Sequence, residues 1–223
     1  MGLFLFFTTP YRPNELSVAS RAKKNKNVSQ KLSCQLILLI MEMTMNELDT
    51  KLKPDKRLAA VCGLFCPSCS AFIGTHKDPE RLESMAKRMG RGVEELACHG
   101  CRSEKRSFFC EKLCKMSPCA KKRGIEFCGA CPDYPCGDLK QFQAQMPHRA
   151  ELWQALQRIQ EVGYEQWFSE MTIHYSCPHC GVINSIYDEK CRKCATVPSS
   201  RYFELHRDEI LRHPALAKMS STK

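Results

Sequence analysis

The sequence predicts a small domain of short helices and irregular, cysteine-bearing turns, then a helical connector, then a C-terminal β-hairpin carrying four more cysteines. Three observations predict it. Eight cysteines fall within the thirty-nine residues from Cys98 to Cys136. Apolar residues recur at helical spacing between Leu139 and Tyr175, a stretch without cysteine. Beyond it, Cys177/Cys180 and Cys191/Cys194 form two C-x2-C pairs separated by ten residues.

At 223 residues the chain suffices for one medium domain or two small ones. Its 43% hydrophobic share includes sixteen cysteines, and without them few aliphatic runs of core length remain outside the last third. Cross-links or metals are therefore expected to replace part of a hydrophobic core. Disulfides belong to oxidising compartments, and export signals are weak here. The apolar run at 3–7 has no basic residue before it and no small-residue cleavage site after it. A second run, 36–41, is far below the ~20 residues needed to cross a bilayer. Repeated C-x2-C pairs without an export signal point to metal, a cytoplasmic setting and no membrane association.

The formal charge of +10 suggests a nucleic-acid partner until metal ligation is counted. Residues 1–44 hold six Lys/Arg against two acids, leaving a surplus of six for the rest. With fifteen thiolates and four divalent ions the remainder falls to about −1, because ligating cysteines are deprotonated. The basic excess serves to neutralise metal–thiolate centres, and net charge says little about partners.

Residues 1–44 are polar around Lys23, Lys24 and Lys26 and lack apolar periodicity. They are expected to be a disordered or mis-assigned extension, with the natural start at Met41, Met43 or Met45. The rival expectation is a membrane-targeting segment, and Cys34 within it is not a ligand. The cysteine-rich domain spans 45–137. Leu48 and Leu52 suggest a short helix broken by Pro54. Cys62, Cys66 and Cys69 then lie within eight residues, with Gly63 and Pro67 supplying turn geometry.

Asp78 and Pro79 make a good helix start. Leu82, Met85, Ala86 and Met89 form one face, and Gly90 ends it. The methionines there are read as packing residues rather than a soft-metal site. Residues 92–96 form a turn that delivers Cys98. Cys98 and Cys101 flank a His-Gly turn, and Cys110 and Cys114, four apart, are expected to share a helix face. Pro118 opens a helix carrying Cys119 that ends at Gly124. Cys128 and Cys131 form another knuckle, and Pro132 and Pro135 stiffen the loop that returns Cys136.

The connector, 138–175, carries a short helix from Leu139 that stops near Pro147. A second stripe (Leu152, Leu156, Ile159, Val162) ends at Gly163, and a third runs through Tyr164, Trp167, Phe168, Met171 and Tyr175. Trp153 and Trp167 are expected to pack rather than to stack on bases. In 176–197 the two C-x2-C pairs supply four thiolates for one tetrahedral ion, the arrangement of a structural zinc ribbon. Val182, Ile183, Ile186 and Tyr187 suit its strands. Residues 198–223 read as a polar tail with a weakly amphipathic stretch from Tyr202 to Leu211.

Three of these motifs, CGLFCPSC at 62–69, ACHGCRS at 97–103 and EFCGACPDYPC at 126–136, resemble an uncharacterised cysteine-rich family of prokaryotic proteins, a domain of unknown function. The longer members of that family continue through a segment like HRAELWQALQRIQEVGYEQWF into a zinc ribbon. The resemblance covers roughly 58–200. It implies a metal-binding domain and carries no activity or substrate with it.

The main domain offers eleven thiols: Cys62, Cys66, Cys69, Cys98, Cys101, Cys110, Cys114, Cys119, Cys128, Cys131 and Cys136. Three tetrahedral zinc sites want twelve ligands, so His76 or His99 is a candidate to complete the set. An odd count also fits one open coordination position. Several zinc ions are thus the expected cofactor. A [4Fe–4S] cluster in 62–136 is the alternative, since four thiolates serve both. The C-x3-C-x2-C spacing at Cys62, Cys66 and Cys69 is that of radical enzymes, but the strands of their barrel are missing.

The functional expectation is a metal-stabilised module binding protein or nucleic acid. Lys105, Arg106, Lys121, Lys122 and Arg123 lie near the cysteines, either for such contact or to offset thiolate charge. An iron–sulfur electron-transfer protein is the alternative. A zinc-dependent enzyme ranks last. The sequence holds no H-E-x-x-H and no glycine-rich phosphate loop, and its carboxylates do not pair in a recognisable pocket.

Overall fold

Helix caps written in the sequence set most of the architecture. The computed structural model describes residues 52–213, so the expectations for 1–44, the alternative start and Cys34 lie outside the described residues. Helix α1 (Ser70–His76) follows the first cysteine turn directly. Helix α2 (Pro79–Met89) is capped by the Asp78 carboxylate, which accepts the Arg81 N–H at 3.2 Å, and Gly90 closes it in the left-handed region. Leu82, Met85 and Ala86 bury against Ala71, Leu96, Ala97 and Cys98, as the stripe predicts. The short helix α3 (Val93–Leu96) then delivers Cys98.

Helix α4 (Met116–Arg123) begins two residues before Pro118 and ends, as expected, at Gly124. Helix α5 (Gly137–Ala144) is followed by a single 3-10 turn at Pro147–Arg149. Helix α6 (Leu152–His174) is interrupted at Gly163, whose φ of 81° and ψ of 164° break it into the two pieces that the stripes mark. Leu152, Leu156 and Ile159 are buried before the break, and Trp167, Phe168 and Thr172 after it. Helix α7 (Arg201–Arg212), capped by Ser200, comes from the stretch read as a polar tail; its Tyr202, Phe203 and Ile210 are buried.

These elements share one aromatic core. Phe65, in the first cysteine turn, stacks on Tyr175 at 5.5 Å and meets Phe168 edge-on at 5.0 Å. Tyr175 in turn stacks on Tyr202 at 4.9 Å. Trp167 is fully buried, and the partly buried Trp153 meets Tyr134, so both tryptophans pack. Edge and offset pairs of this kind add about 0.5–1.5 kcal/mol each beyond area burial. The cysteine turns are thereby fastened to the connector.

The expected β-hairpin does not form. Among the described residues the only pairings are isolated bridges, Ala59 with Phe65 and Ser176 with Ile183. Side chains take the backbone groups that a ladder would use. Asn184, fully buried, accepts the Arg192 N–H at 3.0 Å and donates to the carbonyls of Ser199 and Val182. Arg192 donates to the Ile183 carbonyl at 3.1 Å, and the Asp188 carboxylate accepts the Ser185 N–H. No described helix is long and apolar enough to cross a membrane.

Candidate metal centres

Cys177, Cys180, Cys191 and Cys194 sit on two turns of matching geometry. In each, the residue four beyond the first cysteine donates its N–H to that cysteine's carbonyl at 2.9 Å: Gly181 to Cys177, Ala195 to Cys191. Both donors lie in the left-handed region, Gly181 at φ 69° and Ala195 at φ 58°. The N–H groups of His179 and Lys193 each point at the first sulfur of their turn, at 3.4 Å. The four Sγ atoms lie within 4.8 Å of one another, with Cys177–Cys194 and Cys180–Cys191 both at 3.6 Å.

A tetrahedral zinc ion with Zn–S bonds of ~2.3 Å spaces its sulfurs by about 3.8 Å, so the set fits one ion. Hydrogen bonds from Thr196 hold the Cys194 thiol down to about 5, while burial pushes Cys180 up to about 12. A divalent ion among them removes that conflict by stabilising all four thiolates.

The main domain repeats a different turn. Phe65-Cys66-x-x-Cys69 and Phe127-Cys128-x-x-Cys131 are both single 3-10 turns, closed by Cys69 N–H to Cys66 carbonyl at 2.9 Å and Cys131 N–H to Cys128 carbonyl at 3.1 Å. Around the first, burial and the neighbouring thiols of Cys98 and Cys101 raise the Cys66 thiol, and burial and Cys98 raise Cys69. Cys110 belongs to the same neighbourhood, pushed up to about 12 by burial and by Cys69 and Cys98. Around the second, Cys119, Cys128, Cys131 and Cys136 line one cavity. Cys62 lies between, raised by burial and then by Cys101, Cys114 and Cys128. Among the described residues, no three ligand atoms in 62–136 come within 4.8 Å of one another.

The chain's own groups stabilise sulfur charge at several points. Backbone N–H groups of Ala71 and Phe72 oppose the rise of Cys69, and the Leu64 N–H does so for Cys62. The Arg123 guanidinium donates to Cys131 Sγ at 3.3 Å. None of the fifteen described cysteines is in a disulfide.

Cys110 and Cys114 do not share one helix: the segment Phe109–Leu113 is a π turn, and Cys114 follows it in extended backbone (φ −76°, ψ 118°). Both thiols lie near Cys101, Cys110 also near Cys69 and Cys98, and Cys114 also near Cys62 and Cys128. The rings of His76 and His99 pack edge to face at 4.9 Å, and neither joins a close ligand group. Gly100, between Cys98 and Cys101, holds φ 113°, and a Cβ there would meet the Arg57 carbonyl oxygen at 2.6 Å. The named cations are largely engaged: Lys105 with Glu94, Arg106 with Ser117, Arg123 with Asp133, whereas Lys121 and Lys122 are exposed.

Sequence reading missed how the four-cysteine segment is fastened to the main domain. The Arg81 guanidinium grips the Asp188 carboxylate with two bonds of 2.9 Å, and Ser70 and Ser185 hydroxyls meet at 2.7 Å. It also missed Glu151, whose carboxylate accepts from His174 at 2.9 Å and His206 at 2.8 Å. These partners are 107, 115, 23 and 55 residues apart, beyond the reach of any local pattern.

Fold and sites together define a thiolate-rich protein of short helices, organised by cysteine turns and a separate four-cysteine group. Residues 58–141 match the model of a family described as "Protein of unknown function (DUF3795)". The match ends before the four-cysteine segment. No curated protein and no solved structure matches the chain.

Proposed function

We propose that this is a thiolate metal-binding protein in which zinc at Cys177, Cys180, Cys191 and Cys194 is structural, with the 62–136 cysteines as further ligands. One observation carries the reading: four sulfurs on two matching turns, 3.6 Å apart in pairs and receiving backbone N–H groups. Structural zinc has all four positions filled by protein ligands, and this set offers four sulfurs for them. The module's role is to present a surface to a macromolecular partner. A protein fits better than a nucleic acid, because several cations beside the cysteines are already paired with carboxylates.

Metal analysis of the purified full chain tests the zinc assignment. Cys180→Ser is expected to lower zinc by about one ion per chain and to lower the unfolding temperature, since binding energy of structural zinc is folding energy. An unchanged zinc content in that variant overturns the assignment.

A further inference from the structure

The eleven main-domain cysteines are not arranged like the C-terminal four. Around the second 3-10 turn, three elements bring cysteines to one cavity of about 40 Å³: Cys119 from α4, Cys128 and Cys131 from the turn, and Cys136 from the residue that caps α5. Met116 and Leu139, both buried, form its apolar wall. The same structure closes the C-terminal sulfurs to 3.6 Å, yet here no three sulfurs fall within 4.8 Å of one another.

A single zinc ion draws its sulfurs to about 3.8 Å apart. A cubane puts each thiolate on a different iron, so its sulfurs stand further apart and its inorganic core fills the space between them. The geometry points to one [4Fe–4S] cluster held by Cys119, Cys128, Cys131 and Cys136.

The surroundings suit it. Four thiolates on a cubane leave net negative charge, and Arg123, which also pairs with Asp133, donates directly to Cys131 Sγ at 3.3 Å; Lys115 lines the cavity as an ion pair with Asp138. Hydrogen bonds to ligating sulfur are among the protein's means of setting a cluster's potential. Cys119 is exposed, which puts one corner of the cluster at the surface, open to oxygen. The assignment rests on the reading that the main-domain cysteines are metal ligands, and names which four share a centre.

The test uses the full chain, purified without oxygen and reconstituted with ferric iron, sulfide and a thiol reductant that supplies the two electrons each cluster needs to reach its 2+ state. Iron, acid-labile sulfide, zinc and the visible spectrum are measured for wild type, Cys119→Ala and Cys180→Ser. Cys119 lies on the exposed face of α4, so its replacement disturbs packing least. The expected result is a brown protein with iron and sulfide in equal amounts. Cys119→Ala is expected to lose about four of each per chain, and Cys180→Ser to keep them while losing zinc. Iron retained in full by Cys119→Ala overturns the assignment. So does a colourless wild type in which Cys119→Ala loses one zinc, an outcome that leaves thiolate metal binding intact. A wild type that takes up neither metal overturns both readings.

Discussion

Ala195 is the only non-glycine residue among those described with a positive φ, at 58°. It occupies the position that Gly181 fills in the matching turn of the four-cysteine group. A left-handed backbone costs an L-residue about 1–2 kcal/mol, a penalty that glycine escapes. Ala195→Gly is therefore expected to raise stability by roughly 0.5–1 kcal/mol, part of the gain being returned as unfolded-state entropy. A higher urea midpoint with unchanged zinc content is the predicted outcome; a lower one contradicts the strain. At this scale the grouping of Cys177, Cys180, Cys191 and Cys194 was legible, because paired C-x2-C spacing brings thiols together in a known way. The partners of individual residues were not. Nothing in the sequence around Gly100 shows that the Arg57 carbonyl approaches it from forty-three residues away.

Among the elements, those governed by local rules could be read directly. Asp78 and Gly90 bound α2, Gly124 ends α4, and Gly163 divides α6. The hairpin was misread because polar side chains of the same segment compete for its backbone. The apolar residues Val182, Ile183, Ile186 and Tyr187 suit strands, but Asn184, Asp188 and Arg192 occupy the hydrogen-bonding groups a hairpin needs. The Cys110–Cys114 spacing implies one helix face only if the helix runs through Cys114, and it ends at Leu113. α7 was under-read because charged residues surround its few buried side chains.

The bidentate Arg81–Asp188 pair joins α2 to the four-cysteine segment, with both side chains less than a fifth exposed. Asp188→Ala removes the two charged hydrogen bonds and the acceptor for the Ser185 N–H. It is expected to cost about 2 kcal/mol in urea unfolding while leaving the four sulfurs together. A variant as stable as wild type would show that the segment does not depend on this contact.

Across the described residues, burial and hydrogen bonds fix the charge states of groups such as His148 and Glu151, and stability depends on keeping them. Burial drives the His148 ring down to about 3, and it is held between Arg149, which donates to Nε2 at 3.3 Å, and the Tyr187 hydroxyl at Nδ1. An unfolded histidine protonates near 6.5, so the contribution of the neutral ring is intact above that pH and is lost progressively as pH falls towards 3. For Glu151, burial pushes the carboxyl up, but the hydrogen bonds from His174 and His206 outweigh it and hold it below the usual range. Its contribution is present above the unfolded carboxylate pKa of ~4.3 and disappears at still lower pH. Urea midpoints between pH 8 and pH 5 are expected to fall less steeply in His148→Gln than in wild type; parallel curves contradict the assignment to His148.

The central claim is that the chain folds around metal held by cysteine sulfur. Half-buried thiols such as Cys110 and Cys128, each pushed up to about 12 by desolvation and their neighbours, favour protonation in the bare fold. A metal ion among them would reverse that preference by stabilising the thiolates together. The most direct measurement is the mass of the oxygen-free full chain, recorded first under native conditions and then after acid unfolding. The account predicts a native mass heavier than the unfolded chain by at least one zinc ion, with the excess lost on unfolding. Equal masses in the two states would contradict it.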